Sequence, residues 1–180
     1  MDAKLIEALL ALGHLDLVVF DFDGVMTDNT VFVLASGEEM VRCHRGDGLG
    51  IGKLAKRGVP MLILSTEVNP VVRARAGKLK LECHHGIGDK ELALRELLAA
   101  RGIDPRHVIF VGNDENDAGC LTTVGLPIVV ADAHASVAGL ARVRLAAKGG
   151  KGAVRELADA IVSLVDAGRL RVGPDRIGKH

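Results

Sequence analysis

The stretch Leu17-Val18-Val19-Phe20-Asp21-Phe22-Asp23-Gly24-Val25-Met26-Thr27-Asp28 decides how the rest of this chain is read. A short apolar run rich in Val and bounded by Asp and Gly reads as a buried strand of a parallel sheet. The carboxylates that follow then emerge at the strand's C-terminal end, where open α/β sheets bind their ligands. Side chains two apart leave a regular strand on one face, but Gly24 lets the backbone turn at once and can bend Asp23 over the site. On either path Asp21 and Asp23 converge on one small volume. Two like charges held that close call for a cation or a shared proton between them, and a divalent metal is the natural third party.

Outward from this stretch, strands and helices alternate. Leu5, Ile6, Leu9, Leu10 and Leu12 have helical spacing, with Gly13 placed to end the helix. After the acidic turn, residues 30–35 and 38–43 flank Ser36-Gly37 and read as a β-hairpin. A short helix follows from Asp47, with Leu49, Ile51, Leu54 and Ala55 as its inner face and Gly58 as its stop. A second buried strand spans residues 59–65, and Asn69-Pro70 opens a helix to about Leu79. Leu81 to His84 reads as a weak strand, and Asp89 caps a helix carrying Leu92, Leu94, Leu97 and Leu98 that ends at Gly102. The run from His107 to Val111 leads into a second acidic tip, Gly112-Asn113-Asp114-Glu115-Asn116-Asp117. A helix over 117–124, strands at 126–130 and 143–145, a short helix after His134 and a last helix over 154–165 complete the alternation. This pattern predicts an α/β fold, a Rossmann-like three-layer arrangement with a mostly parallel central sheet and the hairpin in place of a cap domain. One domain over residues 1–170 and a polar tail over 171–180 account for the whole chain. Asp21, the second acidic tip, Ser65-Thr66-Glu67 and Lys90 all fall at one edge of the sheet.

Composition narrows the function. The 180 residues carry 23 basic and 23 acidic side chains, no Trp or Tyr and four Phe. There is neither a basic field nor a stacking platform for nucleic acid. No apolar run approaches a membrane span, and no targeting segment is read at the start. Cys43, Cys83 and Cys120 are widely spaced and lack C-x-x-C spacing, which suits a reduced cytoplasm. Adjacent ligands in Cys83-His84-His85 point to opposite faces of a strand, so a structural reading outweighs zinc there.

A phosphate monoester held against magnesium suits these residues. A hard cation shares oxygen ligands with phosphate, and Lys90 can neutralise charge on the transferring group. Asp21 is a candidate nucleophile because carboxylates form aspartyl-phosphates. Asp23 is a candidate general acid and base if its surroundings raise its pKa, and Ser65 can donate to a phosphate oxygen.

The acidic strand end, Ser65, Lys90 and the Gly112 to Asp117 tip, taken in order, resemble the four motifs of the haloacid dehalogenase superfamily of phosphatases. The resemblance implies a catalytic set of Asp21, Asp23, Ser65 and Lys90, with magnesium held by Asp21, the Asp23 carbonyl and the fourth motif. The family's fourth motif opens with Asp after its Gly, whereas this chain has Asn113 and then Asp114; both stay candidates as ligands. The hairpin, Ala131-Asp132-Ala133-His134 and Gly149-Gly150-Lys151-Gly152 are similar to the capless branch acting on sugar acids such as 3-deoxy-octulosonate 8-phosphate. Members of that branch are homotetramers whose neighbouring hairpins and tails close the site. Leu64-Ser65-Thr66-Glu67, Asn69-Pro70-Val71-Val72-Arg73-Ala74-Arg75-Ala76 and Lys78 are more similar to nonulosonate 9-phosphate phosphatases and to the phosphatase-like domain of acylneuraminate cytidylyltransferases. Thr27, Glu67, Arg75 and Lys78 are therefore the expected substrate contacts, although Arg75 and Lys78 also suit an ordinary charged helix face. A non-catalytic tetramerisation module is the alternative from another class. The Gly149 to Gly152 run reads equally as a helix entry or as an anion-binding loop.

Overall fold

The computed structural model describes residues 2–173. In chain order the elements are α1 (Ala3–Leu12), β1 (His14–Leu15), β2 (Leu17–Phe20), β3 (Thr27–Val33), β4 (Glu39–Cys43), α2 (Arg45–Ala55), β5 (Met61–Leu64) and α3 (Val71–Leu79). Then come β6 (Glu82–His84), α4 (Lys90–Arg101), β7 (Val108–Gly112), α5 (Ala118–Thr123), β8 (Leu126–Val129), α6 (Ala135–Ala138), β9 (Val143–Arg144), α7 (Ala153–Asp166) and β10 (Arg171–Val172). Short 3₁₀ turns at Pro105–His107 and Glu115–Asp117 precede β7 and α5.

Six strands form the central sheet in the order β6-β5-β2-β7-β8-β9, and every neighbouring pair is parallel. The acidic strand β2 is therefore central, and the order reverses between β2 and β7. An open sheet of this kind has its ligand crevice at that reversal, outside the strands' C-terminal ends. All four residues of β2 are buried because both faces are covered. Val18 and Phe20 pack with α1, α2, α3 and α7, while Leu17 and Val19 pack with α4 and α5.

Local chemistry explains the ends. Asp2 caps α1 by accepting from the Lys4 and Leu5 N–H groups, and Gly13 closes it at φ 68°. Asp89 accepts from Leu92 N–H, and Gly102 ends α4 in the left-handed region. Leu49, expected on an inner face, turns outward at 64% exposed, and Leu92, one of the periodic leucines of its helix, is 54% exposed. Helical spacing gives an apolar stripe without its orientation, and α2 turns Asp47, Gly50, Ile51 and Leu54 inward instead. Asp47 also lies inside α2 rather than at its cap, which is His44.

The hairpin β3–β4 stands outside the central sheet, with Thr27 opposite Cys43 and Val31 opposite Val41. Val31, Phe32, Val33, Leu34 and Met40 are all exposed on it. Arg171 and Val172, the first residues of the expected tail, pair in parallel with His14 and Leu15; residues 174–180 of that tail lie outside the described residues.

Candidate active site

Directly after β2 the chain folds over itself. Asp21 N–H donates to the Val111 carbonyl, and the Val25, Met26 and Thr27 N–H groups all donate to the Phe22 carbonyl. Gly24 makes this possible at φ 76°, and the Asn113 side chain fills the space where a Cβ would stand. Thr27 is fully buried beneath the turn; its hydroxyl accepts from Gly24 N–H at 3.1 Å and donates to Asp23 Oδ1 at 3.2 Å. A second loop braces the turn from outside. Gly150 N–H donates to the Val25 carbonyl, while a Cβ on Gly149 would come within 1.8 Å of the Gly24 carbonyl oxygen. Gly149 and Gly150 are thus occupied in packing against the turn that carries Asp23.

Lys90, the first residue of α4, sends its fully buried ammonium to Asp21 Oδ1 at 2.7 Å and Asp117 Oδ1 at 2.6 Å. The other Asp117 oxygen accepts from Asn113 N–H at 2.7 Å and Asp114 N–H at 3.3 Å, which ties the second acidic tip to the first. Burial pushes the Asp21 carboxyl up to about 7; Asp117 adds to the rise and Lys90 opposes it. Asp23 is also held above the ordinary carboxylate range, chiefly by burial and further by Glu67, with the Thr27 hydrogen bond acting against the shift.

The Asn113 side chain presents one terminal amide atom to the Asp23 carbonyl oxygen at 2.8 Å and to Asp21 Oδ2 at 2.9 Å. With nitrogen at that place the amide donates to both oxygens. With oxygen there, three oxygens face one another, at separations near the edge of about 2.9 Å for an octahedron with magnesium–oxygen bonds of 2.0–2.1 Å. This oxygen set fits a hard divalent cation. Asp114 instead accepts from Glu115 N–H at 2.8 Å and caps the following turn.

Two adjoining cavities open here. One of about 290 Å³ is lined by Asp21, Asp23, Ser65, Asn113 and Asp114, among others. The second, about 230 Å³, shares Asp23 and Asn29 with the first and adds Glu39, Glu67 and Asn69.

Residues 66–155 match the model of the haloacid dehalogenase-like hydrolases. The chain is 34% identical over 155 residues to the 3-deoxy-D-manno-octulosonate 8-phosphate phosphatase of Yersinia pestis, covering 86% of this chain and 83% of that protein. It belongs to the haloacid dehalogenase-like hydrolases. Within them it is a phosphoric monoester hydrolase, as the resemblance implied. Among solved structures, a family hydrolase from Streptomyces avermitilis is 53% identical with a TM-score of 0.79, covering 81% of this chain and 84% of that one. The octulosonate phosphatase of Moraxella catarrhalis, solved with magnesium, phosphate and the sugar acid, is 27% identical with a TM-score of 0.84, covering 90% and 95%.

In this hydrolase Asp21, Asp23, Ser65, Asn113 and Asp114 share one cavity, and Lys90 reaches it from behind through Asp21. Glu67 lies in the adjoining cavity, where its carboxylate accepts from Asn69 N–H at 2.7 Å. Thr27 lies under the site and lines neither cavity. Arg75 and Lys78 face a third cavity with Arg45, Leu49 and Leu79, away from Asp21 within the single chain. The sequence does not single out Asp117, because nothing in its tip distinguishes it from Asp114 or Glu115 except its position as the acid three residues after Asp114, spaced to reach back over its own turn as the 3₁₀ cap does. Glu39 was missed because it belongs to the hairpin, whose position over the site is tertiary.

Proposed function

We propose that this hydrolase removes phosphate from a phosphorylated 2-keto-3-deoxy sugar acid of the nonulosonate 9-phosphate type through an aspartyl-phosphate, with 3-deoxy-octulosonate 8-phosphate as the alternative substrate. The observation that carries the reading is the buried Asp21–Lys90–Asp117 group at the wall of a cavity that also contains Asp23 and Ser65. An Asp21 oxygen attacks phosphorus in line, and the bond from phosphorus to the sugar oxygen breaks. Asp23, whose raised pKa keeps a proton available, gives it to the leaving oxygen. Asp23 then takes a proton from water as that water attacks phosphorus, which releases phosphate and frees Asp21. Lys90 holds Asp21 in place and opposes the rise of its pKa, and the Ser65 hydroxyl donates to a phosphate oxygen. Magnesium, held by Asp21, the Asp23 carbonyl and Asn113, would supply charge neutralisation to the phosphoryl group. Asp114, already capping its turn, is the weaker candidate ligand.

The adjoining cavity receives the hydroxylated end of the sugar, where Glu67 and Glu39 accept hydrogen bonds. The sugar carboxylate finds no cation there. Arg75 and Lys78 would meet it only from a neighbouring subunit, consistent with a homotetramer joined through the apolar hairpin. Three free thiols suit the cytoplasm, and no helix among the described residues is long and apolar enough to cross a membrane. Residues 1–170 act as one domain in this reading. The intact Asp21–Lys90 pair speaks against a purely structural module.

Phosphate release from a panel of sugar-acid phosphates with magnesium tests the proposal. Wild type is expected to turn over nonulosonate 9-phosphates fastest, and Asp21→Asn to fall to background. Equal release by both proteins across the panel would reject the enzyme mechanism. Faster turnover of the octulosonate ester, with Glu67→Ala having little effect, would select the alternative.

A further inference from the structure

A second group of ligand-type side chains lies at the opposite end of the sheet, where β2 and β7 begin. His14 leaves β1, Asp16 immediately precedes β2, and His107 closes the turn before β7. His14 Nε2 is 2.8 Å from Asp16 Oδ1, and His107 Nδ1 is 3.3 Å from Asp16 Oδ2. All three ligand atoms lie within 4.8 Å of one another. The His14 and Asp16 side chains are only 6% and 8% exposed, whereas His107, at 31%, leaves a way in from solvent.

We propose that His14, Asp16 and His107 form a binding site for a divalent transition metal of the zinc class, separate from the phosphatase centre. Two imidazoles and one carboxylate form a nitrogen-rich set that suits zinc, cobalt or nickel and does not suit magnesium. A tetrahedral ion with ligand bonds of 2.0–2.1 Å sets its ligand atoms about 3.4 Å apart. Asp16 turns one oxygen to each ring, Oδ1 to His14 at 2.8 Å and Oδ2 to His107 at 3.3 Å, and one ligand atom from each of the three residues lies within 4.8 Å of the others, so a small adjustment reaches that edge. Two imidazoles on one such ion have ring centres about 5.2 Å apart, from the same bond length plus the ring radius. The His14 and His107 ring centres are 5.0 Å apart with planes at 74°, close to that spacing. The backbone already fixes the frame: Asp16 N–H donates to the His107 carbonyl at 2.9 Å, and His107 N–H donates to the Asp104 carbonyl at 2.9 Å. With three protein ligands the ion retains a position for water, facing the exposed side of His107. Its effect is to clamp together the starts of the two strands whose far ends carry Asp21 and Asn113. An ion that binds only the folded chain stabilises it by mass action.

The test uses the untagged protein in saturating magnesium, with zinc and then cobalt as probes. Wild type is expected to retain one equivalent of zinc after dialysis, to show the visible bands of nitrogen-ligated cobalt, and to melt several degrees higher with zinc. His107→Gln, at a half-exposed position, should lose the equivalent, the bands and the shift while keeping wild-type magnesium-dependent phosphate release. His14→Gln should behave alike, and if it does not fold, His107→Gln alone decides. Equal retention, or an equal thermal shift, in wild type and His107→Gln overturns the proposal.

Discussion

The Lys90 ammonium separates two carboxylates, Asp21 and Asp117, that would otherwise face each other out of water. Removing one partner from such a group leaves buried charge uncompensated, at a typical cost of about 3–5 kcal/mol. Lys90→Met is therefore expected to destabilise the fold by that amount in urea titrations with EDTA present, and to abolish phosphate release. Asn113 poses a different question, because a neutral amide stands where the family has a carboxylate. Ligand charge sets affinity for a hard cation, so Asn113→Asp should lower the magnesium concentration for half-maximal activity by about tenfold. Without magnesium the same variant should melt below wild type, since a new anion joins Asp21, Asp23 and Asp117. Phosphate release titrated with magnesium reads the first effect, and differential scanning calorimetry without magnesium reads the second. The candidate nucleophile, its partner acid and Lys90 were legible as residues because carboxylates at a strand end and a Lys at a helix start are local features. Asp117 was not, because its role comes from a lysine 27 positions away.

Among the elements, the turn after β2 depends on a loop that no local rule connects to it. Gly149 and Gly150 press on the backbone of Gly24, Thr27 and Asp28, and Lys151 lies 3.7 Å from Asp28 Oδ2, which also accepts from Arg42 of β4. Turn, hairpin and glycine loop are thus one assembly. Gly149→Ala would drive a methyl into the Gly24 carbonyl and shift Asp23, and displacements near 1 Å cost about a hundredfold in rate. The expected result is a kcat lower by about that factor with the far-ultraviolet spectrum retained. The glycine run could be read from sequence either as a helix entry or as an anion loop, since glycine reports only that a Cβ is excluded. The structure names what excludes it. Leu49 and Leu92 carry the same lesson for helices: periodicity located the stripe, while the sheet chose which of its edges to bury.

For the molecule as a whole, the exposed apolar side chains are concentrated on the hairpin, where Phe32 is 59% and Val33 65% exposed. Exposed patches of this kind on soluble proteins mark contact surfaces. If the proposed tetramer joins through this patch, Phe32→Glu is expected to convert it to smaller species in sedimentation velocity and to lower turnover of the proposed sugar acid, with less effect on a small aryl phosphate. By itself the sequence determined the alternation of elements, the buried central strand and the carboxylates at its end, because strand period, turn residues and caps act over a few neighbours. It also pointed to the strand ends for the proposed chemistry, since parallel sheets leave their loops there. Only the tertiary structure decided which acid holds Lys90, which loop braces Gly24, which cavity receives Glu39, and that His14, Asp16 and His107 meet. Each of these is a contact between segments distant in the chain, set by sheet order and helix packing, and no local periodicity encodes it.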